Sequence, residues 1–453
     1  MRYIVPLLGL MLLAIFSVIY LADTEAYSRA LKVWGIIPFT YPFLDWEAVS
    51  AAIRCWNNNI DVYTANPCDV LNRPHLYSPL WLRATFIPTD RVWTMPIGIG
   101  IILAFLLSLF WIVKPANWGE LIVFALACTS TTVVYALERG NSDVIVFIML
   151  VVAGVLSTGP LVVSRVLSYA LILLAGLLKF YPLTGLLVAL RERPRTFFAI
   201  VVAVGLIVVG LFYRFRTETA AALKNIGGWE YASDLFGAVN LPFGSLRYAL
   251  WLFPWVEQYT WFAALPYMIM AVLLIVTAVQ VIRLTRNVNL AGAFAKMPEQ
   301  DAIFLVIGAA LVAGCFFAGQ SVAYKGIYLI FVVAGLVAMR RATNTRKTRT
   351  ILSQALIIVV FLMWEELFRR ALIYEITGSV QARALVHEIV RPGPGLALYA
   401  LFWLIREVLW WRLAALLLAM LAIFGLRSEL FAALQAVGGL HREQSHLHRQ
   451  KPN

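Results

Sequence analysis

Long apolar runs, each near the length of a membrane-crossing helix, alternate along this chain with short polar connections. Such runs lie near residues 3–21, 95–113, 121–137, 143–158, 161–178, 196–213, 262–282, 302–318, 326–339, 350–364 and 408–426. A shorter run, 180–190, is broken from its predecessor by Pro182 and ends in the basic cluster Arg191 to Arg195; it reads as a further crossing. Inside a bilayer every backbone N–H and C=O has to bond within the protein, and continuous apolar runs select helices over an alternating barrel. The fold class expected is therefore all-α, a polytopic membrane helical bundle of about 12 transmembrane helices forming a single domain, 1–453.

Composition sharpens this picture. The 453 residues are 62% hydrophobic and only 13% charged, which excludes a soluble globular protein. A net charge of +13 raises the question of nucleic acid, but no nucleic-acid motif is present and the basic residues sit in short clusters between apolar runs, where they set topology. The first run, from Ile4 to Leu21, is longer than the apolar part of a signal peptide and reads as an uncleaved anchor. With Arg2 in the cytoplasm, Lys114, Arg165, the 191–195 cluster, Arg283, Arg286 and the 340–349 cluster all fall on the same side, as does a tail, 427–453, carrying Arg442, Arg449 and Lys451. The large extracytoplasmic segments are then 22–94, 214–261 and 365–393. No internal repeat is visible.

Candidate chemistry collects in the first of these segments. Asp45 precedes Trp46, Ala48, Val49 and Ile53, which form the apolar face of a short interfacial helix, and a carboxylate held at that boundary is placed to take a proton from a hydroxyl. An Asp ahead of an apolar run is also a common helix cap. Glu47 is the neighbouring acid. Arg139, Lys179 and Lys325 each stand alone at the outer end of a run, where the positive-inside rule gives no reason for a cation and a lipid phosphate does; snorkelling, or pairing with Glu138 or Asp143, is the alternative. His75 can donate to a phosphate or simply pack against Tyr77 and Trp81. Cys55 and Cys68 share the segment and are candidates for a disulfide. The loop has no metal-ligand spacing, so no metal is expected, and the tail histidines His441, His446 and His448 read as solvated. Nucleotide-binding, zinc-protease and serine-hydrolase motifs are absent, so a substrate would come from the membrane.

The ordered set Leu44-Asp45-Trp46, Asp61-Val62-Tyr63, Leu76-Tyr77-Ser78-Pro79-Leu80, Arg139-Gly140-Asn141-Ser142-Asp143, Leu178-Lys179-Phe180-Tyr181-Pro182 and Ala323-Tyr324-Lys325 covers about 300 residues. It resembles the GT-C superfamily of integral-membrane glycosyltransferases, most closely the bacterial branch of polyprenol-phosphate-mannose-dependent alpha-mannosyltransferases. The resemblance implies transfer, with inversion, of a mannose-like hexose or a pentose from a polyprenyl-phosphate donor to a lipid or glycan acceptor. It places the reaction on the extracytoplasmic face of the bacterial inner membrane, without metal or cofactor. Asp45 would be the general base, Arg139, Lys179, Lys325 and His75 would hold the donor phosphate, and Tyr77 and Tyr324 would lie beside the acceptor. The chain departs from the pattern in carrying Glu47 two residues beyond Asp45, and in its Cys55 and Cys68 pair. Two other classes share some of these features: a lipid or glycan transporter or flippase, and a ligase or polymerase using diphosphate-linked donors.

Overall fold

The protein is described here by a computed structural model covering residues 1–39, 41–226, 235–252, 255, 258–377, 394–433 and 435. It is an all-α bundle and a multi-pass integral membrane protein. Among the described residues nine helices are long and apolar enough to cross a membrane: Ile4–Ala22, Arg91–Ile112, Val162–Lys179, Pro194–Arg214, Trp261–Thr285, Glu299–Ala318, Ala323–Ala342, Arg346–Ile373 and Ala397–Leu426. The predicted run 121–137 appears as two helices, Trp118–Cys128 and Thr131–Glu138, bent by 42°. The bend falls where Ser130 accepts from the Val133 amide and so starts a new helix. The run 143–158 is a 16-residue helix, Ser142–Ser157.

The expected twelfth crossing, 180–190, is not an α-helix. It forms a 3₁₀ helix, Tyr181–Arg191, because Phe180 turns to φ 64° and Pro182 supplies no N–H for a continuing α-helical ladder. The start of the expected outer segment 365–393 is helical, since one helix runs unbroken over Arg346–Thr377. Its charges are absorbed rather than solvated: Glu366 takes both Arg369, at 2.8 Å, and Arg370, at 3.4 Å. Residues 378–393, 227–234 of the second segment, and the tail's Arg442, Arg449, Lys451, His441, His446 and His448 lie outside the described residues. The first segment, 22–94, holds helices Thr24–Val33, Leu44–Asn57 and Pro79–Leu82.

Glu299–Ala318 and Leu329–Ala342 form the centre of the bundle and are almost wholly enclosed, whereas Pro194–Arg214 buries none of its residues and lies at the periphery. Around the centre Phe147 and Phe331 stack at 4.6 Å, and Phe304 stacks on Phe331 at 5.6 Å. Lipid is as apolar as these rings, so close packing rather than expulsion of water holds such helices together. The described residues contain a single pair of strands, Leu235–Phe236 and Ser321–Val322, antiparallel with Leu235 opposite Val322.

Candidate functional site

Asp45 is positioned by two helix ends that satisfy one another. The Thr131–Glu138 helix closes with the Gly140 N–H on the Leu137 carbonyl and the Asn141 N–H on the Ala136 carbonyl, a turn that requires the left-handed φ of 57° at Gly140. Its spare carbonyls then receive the spare amides of the Leu44–Asn57 helix: Phe43 N–H donates to Glu138 O at 2.7 Å and Asp45 N–H to Arg139 O at 3.0 Å. Phe43, at φ 65°, is the cap residue, and its ring lies against Gly98. Asp45 is thus not a cap. Its side chain, 14% exposed, points to other partners.

Those partners define the site. One carboxylate oxygen accepts from Arg73 at 2.9 Å and the other from Asn141 Nδ2 at 2.9 Å. Arg73 is itself fixed by Asp69, which accepts from its backbone and its guanidinium at 2.9 Å, and by the Leu44 carbonyl. Asp69 follows Cys68, and Cys68 is joined to Cys55 at the end of Asp45's own helix, with Cα atoms 5.9 Å apart. The disulfide therefore closes a frame around the Asp45–Arg73 pair.

Asn141 is the hub. Its Oδ1 accepts from the Asp143 amide at 2.9 Å, starting the Ser142–Ser157 helix, and from Lys179 Nζ at 3.4 Å; this fixes the amide so that Nδ2 faces Asp45. Lys179 also pairs with Asp143 at 3.2 Å and lies 4.5 Å from the Tyr77 ring centre. Tyr181 donates to Asp143, Tyr328 lies 2.7 Å from the Tyr181 hydroxyl, and Lys325 sits over the Tyr181 ring at 4.8 Å. Burial, and then the charges of Asp45 and Asp143, push the Tyr77 phenol up.

The sequence candidates sort as follows. Asp45, Lys179, Lys325 and Tyr77 come together. Lys179 and Arg139 are not lone cations, because Asp143 and Glu138 pair with them; Arg139 meets Glu138 at 3.2 Å, donates to Ile37 O at 2.9 Å and covers Phe39, the ring that Arg73 also meets. Lys325 makes no ion pair among the described residues; its ammonium donates to Ser321 at 3.2 Å. Tyr324 packs on Tyr135 at 5.7 Å, and its hydroxyl lies within electrostatic reach of Tyr77, Asp143 and Asp45, so it joins the site. Glu47 is 1% exposed, accepts from Tyr41 at 3.0 Å and has Arg54 at 4.0 Å, partners that Asp45 does not share. His75 is 3% exposed between the Tyr63 and Tyr77 rings, and burial lowers its pKa from 6.5 to about 4, which leaves it neutral behind the site.

Arg73, Tyr181 and Tyr328 were not anticipated. Arg73 stood in a loop rich in turn residues, and the two tyrosines stood within apolar runs where an aromatic ring reads as packing. A further buried cluster was also missed: Arg406 pairs with Glu365 at 3.0 Å and Glu407 at 3.2 Å, and Trp410 donates to Glu365 at 3.0 Å. Comparison with family models, with curated proteins and with solved structures finds no match to this chain.

Proposed function

We propose that the protein is a membrane glycosyltransferase of the GT-C kind, moving a sugar from a polyprenyl phosphate to a lipid or glycan acceptor, with Asp45 as general base. The observation that carries this reading is the placement of a partly exposed carboxylate one amide, Asn141, away from the Lys179 ammonium, at the mouth of an apolar bundle. Each Asp45 oxygen spends one lone pair on Arg73 or Asn141 and keeps another, so it can accept a proton from an acceptor hydroxyl. As the acceptor oxygen, losing its proton to Asp45, bonds to the anomeric carbon, the bond to the donor phosphate breaks on the opposite side, and the phosphate leaves as an anion toward Lys325 and Lys179. Lys325, with no carboxylate of its own, is the cation best able to meet it; Arg139 is committed to Glu138.

An apolar cavity of 270 Å³ supports a lipid-linked substrate. Lined by Val5, Phe16, Phe43, Ile102 and Phe105, it reaches Glu138 at the helix end that seats Asp45. Twelve crossings remain compatible with the 3₁₀ segment. At about 2.0 Å per residue, its 11 residues extend about 22 Å, about a third more than the same number in an α-helix. On this reading Asp45 lies on the extracytoplasmic face of a bacterial inner membrane, where an oxidising compartment suits the Cys55–Cys68 bridge.

The test is sugar transfer by purified protein from a panel of radiolabelled polyprenyl-phosphate sugars. Asp45→Asn keeps the shape and an oxygen for one of the two donors, Arg73 or Asn141, while removing the basicity, and is expected to lose at least about 100-fold in turnover. Glu47→Gln, buried with Tyr41 and Arg54 as its partners, is expected to lose little. Near-normal turnover by Asp45→Asn would move the base elsewhere, and no transfer from any donor would remove the enzyme reading.

The buried Glu365, Arg406 and Glu407 favour one rival, since ionisable groups enclosed by helices are what an ion or lipid pathway uses. Lipid scrambling or flux by the protein in vesicles, surviving in Asp45→Asn, would select that transporter or flippase reading.

A further inference from the structure

A second polar cleft lies apart from Asp45, where the disulfide-closed loop meets the Arg216–Asn225 helix. It has a volume of 570 Å³ and is lined by Trp56, Asn59, Asp61, Tyr63, Arg83 and Glu218. Its floor is built. Cys55, Val62, Leu82 and Ala222 form a separate small core beneath it, and Asn225 donates to the Tyr63 and His75 carbonyls at 2.9 and 3.0 Å, locking the helix to the loop.

The Tyr63 side chain points to a ligand. The residue is 5% exposed, and its hydroxyl has no hydrogen-bond partner among the described residues. Burial raises the phenol's pKa, and Glu218, Arg83 and Asp61, all on the cleft wall, are the charges that act on it. A buried hydroxyl left unpaired is costly, and a ligand hydroxyl in the cleft would relieve it.

The other groups say which ligand. Trp56 offers a partly exposed ring, steadied by Arg83 at 5.2 Å and by the edge of Tyr63 at 6.3 Å. Asp61 is held in place by accepting from Tyr63 N–H at 3.1 Å and Thr64 at 2.7 Å, which leaves lone pairs free for donors. Two carboxylates, Asp61 and Glu218, face one guanidinium, which Glu218 neutralises at 3.8 Å; a phosphate would find no spare cation. No third acid or imidazole joins them to hold a metal ion among the described residues. An aromatic face beside fixed acceptors suits a ligand with apolar C–H faces and many hydroxyl donors.

We infer that this cleft binds a neutral oligosaccharide, holding the distal sugars of the glycan acceptor while its reacting end lies at Asp45. The inference rests on the glycosyltransferase reading for its acceptor but on the cleft alone for its binding. The rings of Trp56, Tyr63, His75 and Tyr77 follow one another at 6.3, 5.4 and 5.7 Å and end under Lys179, so one aromatic layer, buried at Tyr63 and His75, backs both the cleft and the site.

Binding is measured by saturation-transfer NMR on the full chain in lipid nanodiscs, because sugar-headed detergents would compete. The probes are manno-, gluco- and arabino-oligosaccharides, with a uronic acid oligosaccharide as the anionic comparison. At least one neutral series is expected to bind, with Asp45→Asn binding as well as the parent. Tyr63→Phe removes an unpaired hydroxyl, so it is expected to leave thermal stability unchanged or higher while weakening binding about tenfold; Asp61→Asn and Trp56→Ala are expected to weaken it too. The inference is overturned if no neutral series binds, if the uronic acid series binds better, or if Tyr63→Phe binds like the parent. Asp45-dependent transfer without cleft binding would remove this inference alone. Cleft binding without transfer would support it and remove the enzyme reading alone.

Discussion

A single residue, His75, shows how far burial decides chemical role. In the sequence it is the lone imidazole of a loop with candidate phosphate ligands, and a phosphate donor was a fair expectation. Folding instead encloses it between two tyrosine rings, and desolvation lowers its pKa from 6.5 to about 4. The consequence is a stability effect of definite sign. Between those two values the unfolded chain binds a proton at His75 and the folded chain does not, so stability falls as pH drops through that window and is fully present above it. The shift corresponds to roughly 3 kcal/mol. We predict that the melting temperature in nanodiscs falls between pH 7 and pH 5, and falls less in His75→Phe, which keeps a ring and cannot titrate. Equal falls in both proteins would mean that other groups carry the acid sensitivity.

At the scale of elements, the turn from Arg139 to Asp143 decides the site, and here the sequence was partly legible. Arg139-Gly140-Asn141-Ser142-Asp143 stood out as a polar break between apolar runs, with a glycine and an Asn in the order that a helix stop and a helix start require. The hub role of Asn141 was not visible, because its partners Asp45 and Lys179 lie 96 and 38 residues away and only tertiary packing brings them together. Asp45 looked as much like a cap as a base; the structure gives the cap to Phe43, a residue that no propensity rule would choose. Gly140 tests the turn. A Cβ there would need the left-handed φ of 57° and would stand 3.2 Å from the Cβ atoms of both Phe43 and Trp46. We predict that Gly140→Ala costs about 1–2 kcal/mol and lowers turnover more than it lowers the amount of folded protein, since it shifts Asn141 and the start of Asp45's helix together. Folded yield falling in step with activity would show that the turn matters for stability only.

Across the whole molecule, apolar run length predicted a helix for each crossing, but it misjudged where the charges go. Glu365, Glu366, Arg369 and Arg370 looked like the wet end of a span, because charges at the end of an apolar run usually sit at headgroup depth. They are instead buried by mutual neutralisation with a residue of the last helix: Arg406, 1% exposed, lies between Glu365 and Glu407. The same guanidinium donates to Leu235 O, the carbonyl that Asn240 also bonds at 2.9 Å, and Gln320 donates to Asn240 at 3.0 Å. One ionic knot thus fastens the Arg346–Thr377 and Pro394–Leu426 helices to the short strand pair, and the second strand of that pair leads directly to Lys325. Enclosed ion pairs contribute little net stability when whole, yet removing one partner strands the others. We therefore predict that Arg406→Met destabilises the protein by about 3–5 kcal/mol, read as a large fall in melting temperature. Adding Glu365→Gln and Glu407→Gln removes the stranded charges while leaving oxygen acceptors for Trp410 and Asn240, and is expected to restore most of that loss. If the triple variant melts no higher than Arg406→Met, the guanidinium's bond to Leu235, rather than charge balance, is what holds the last two helices in place.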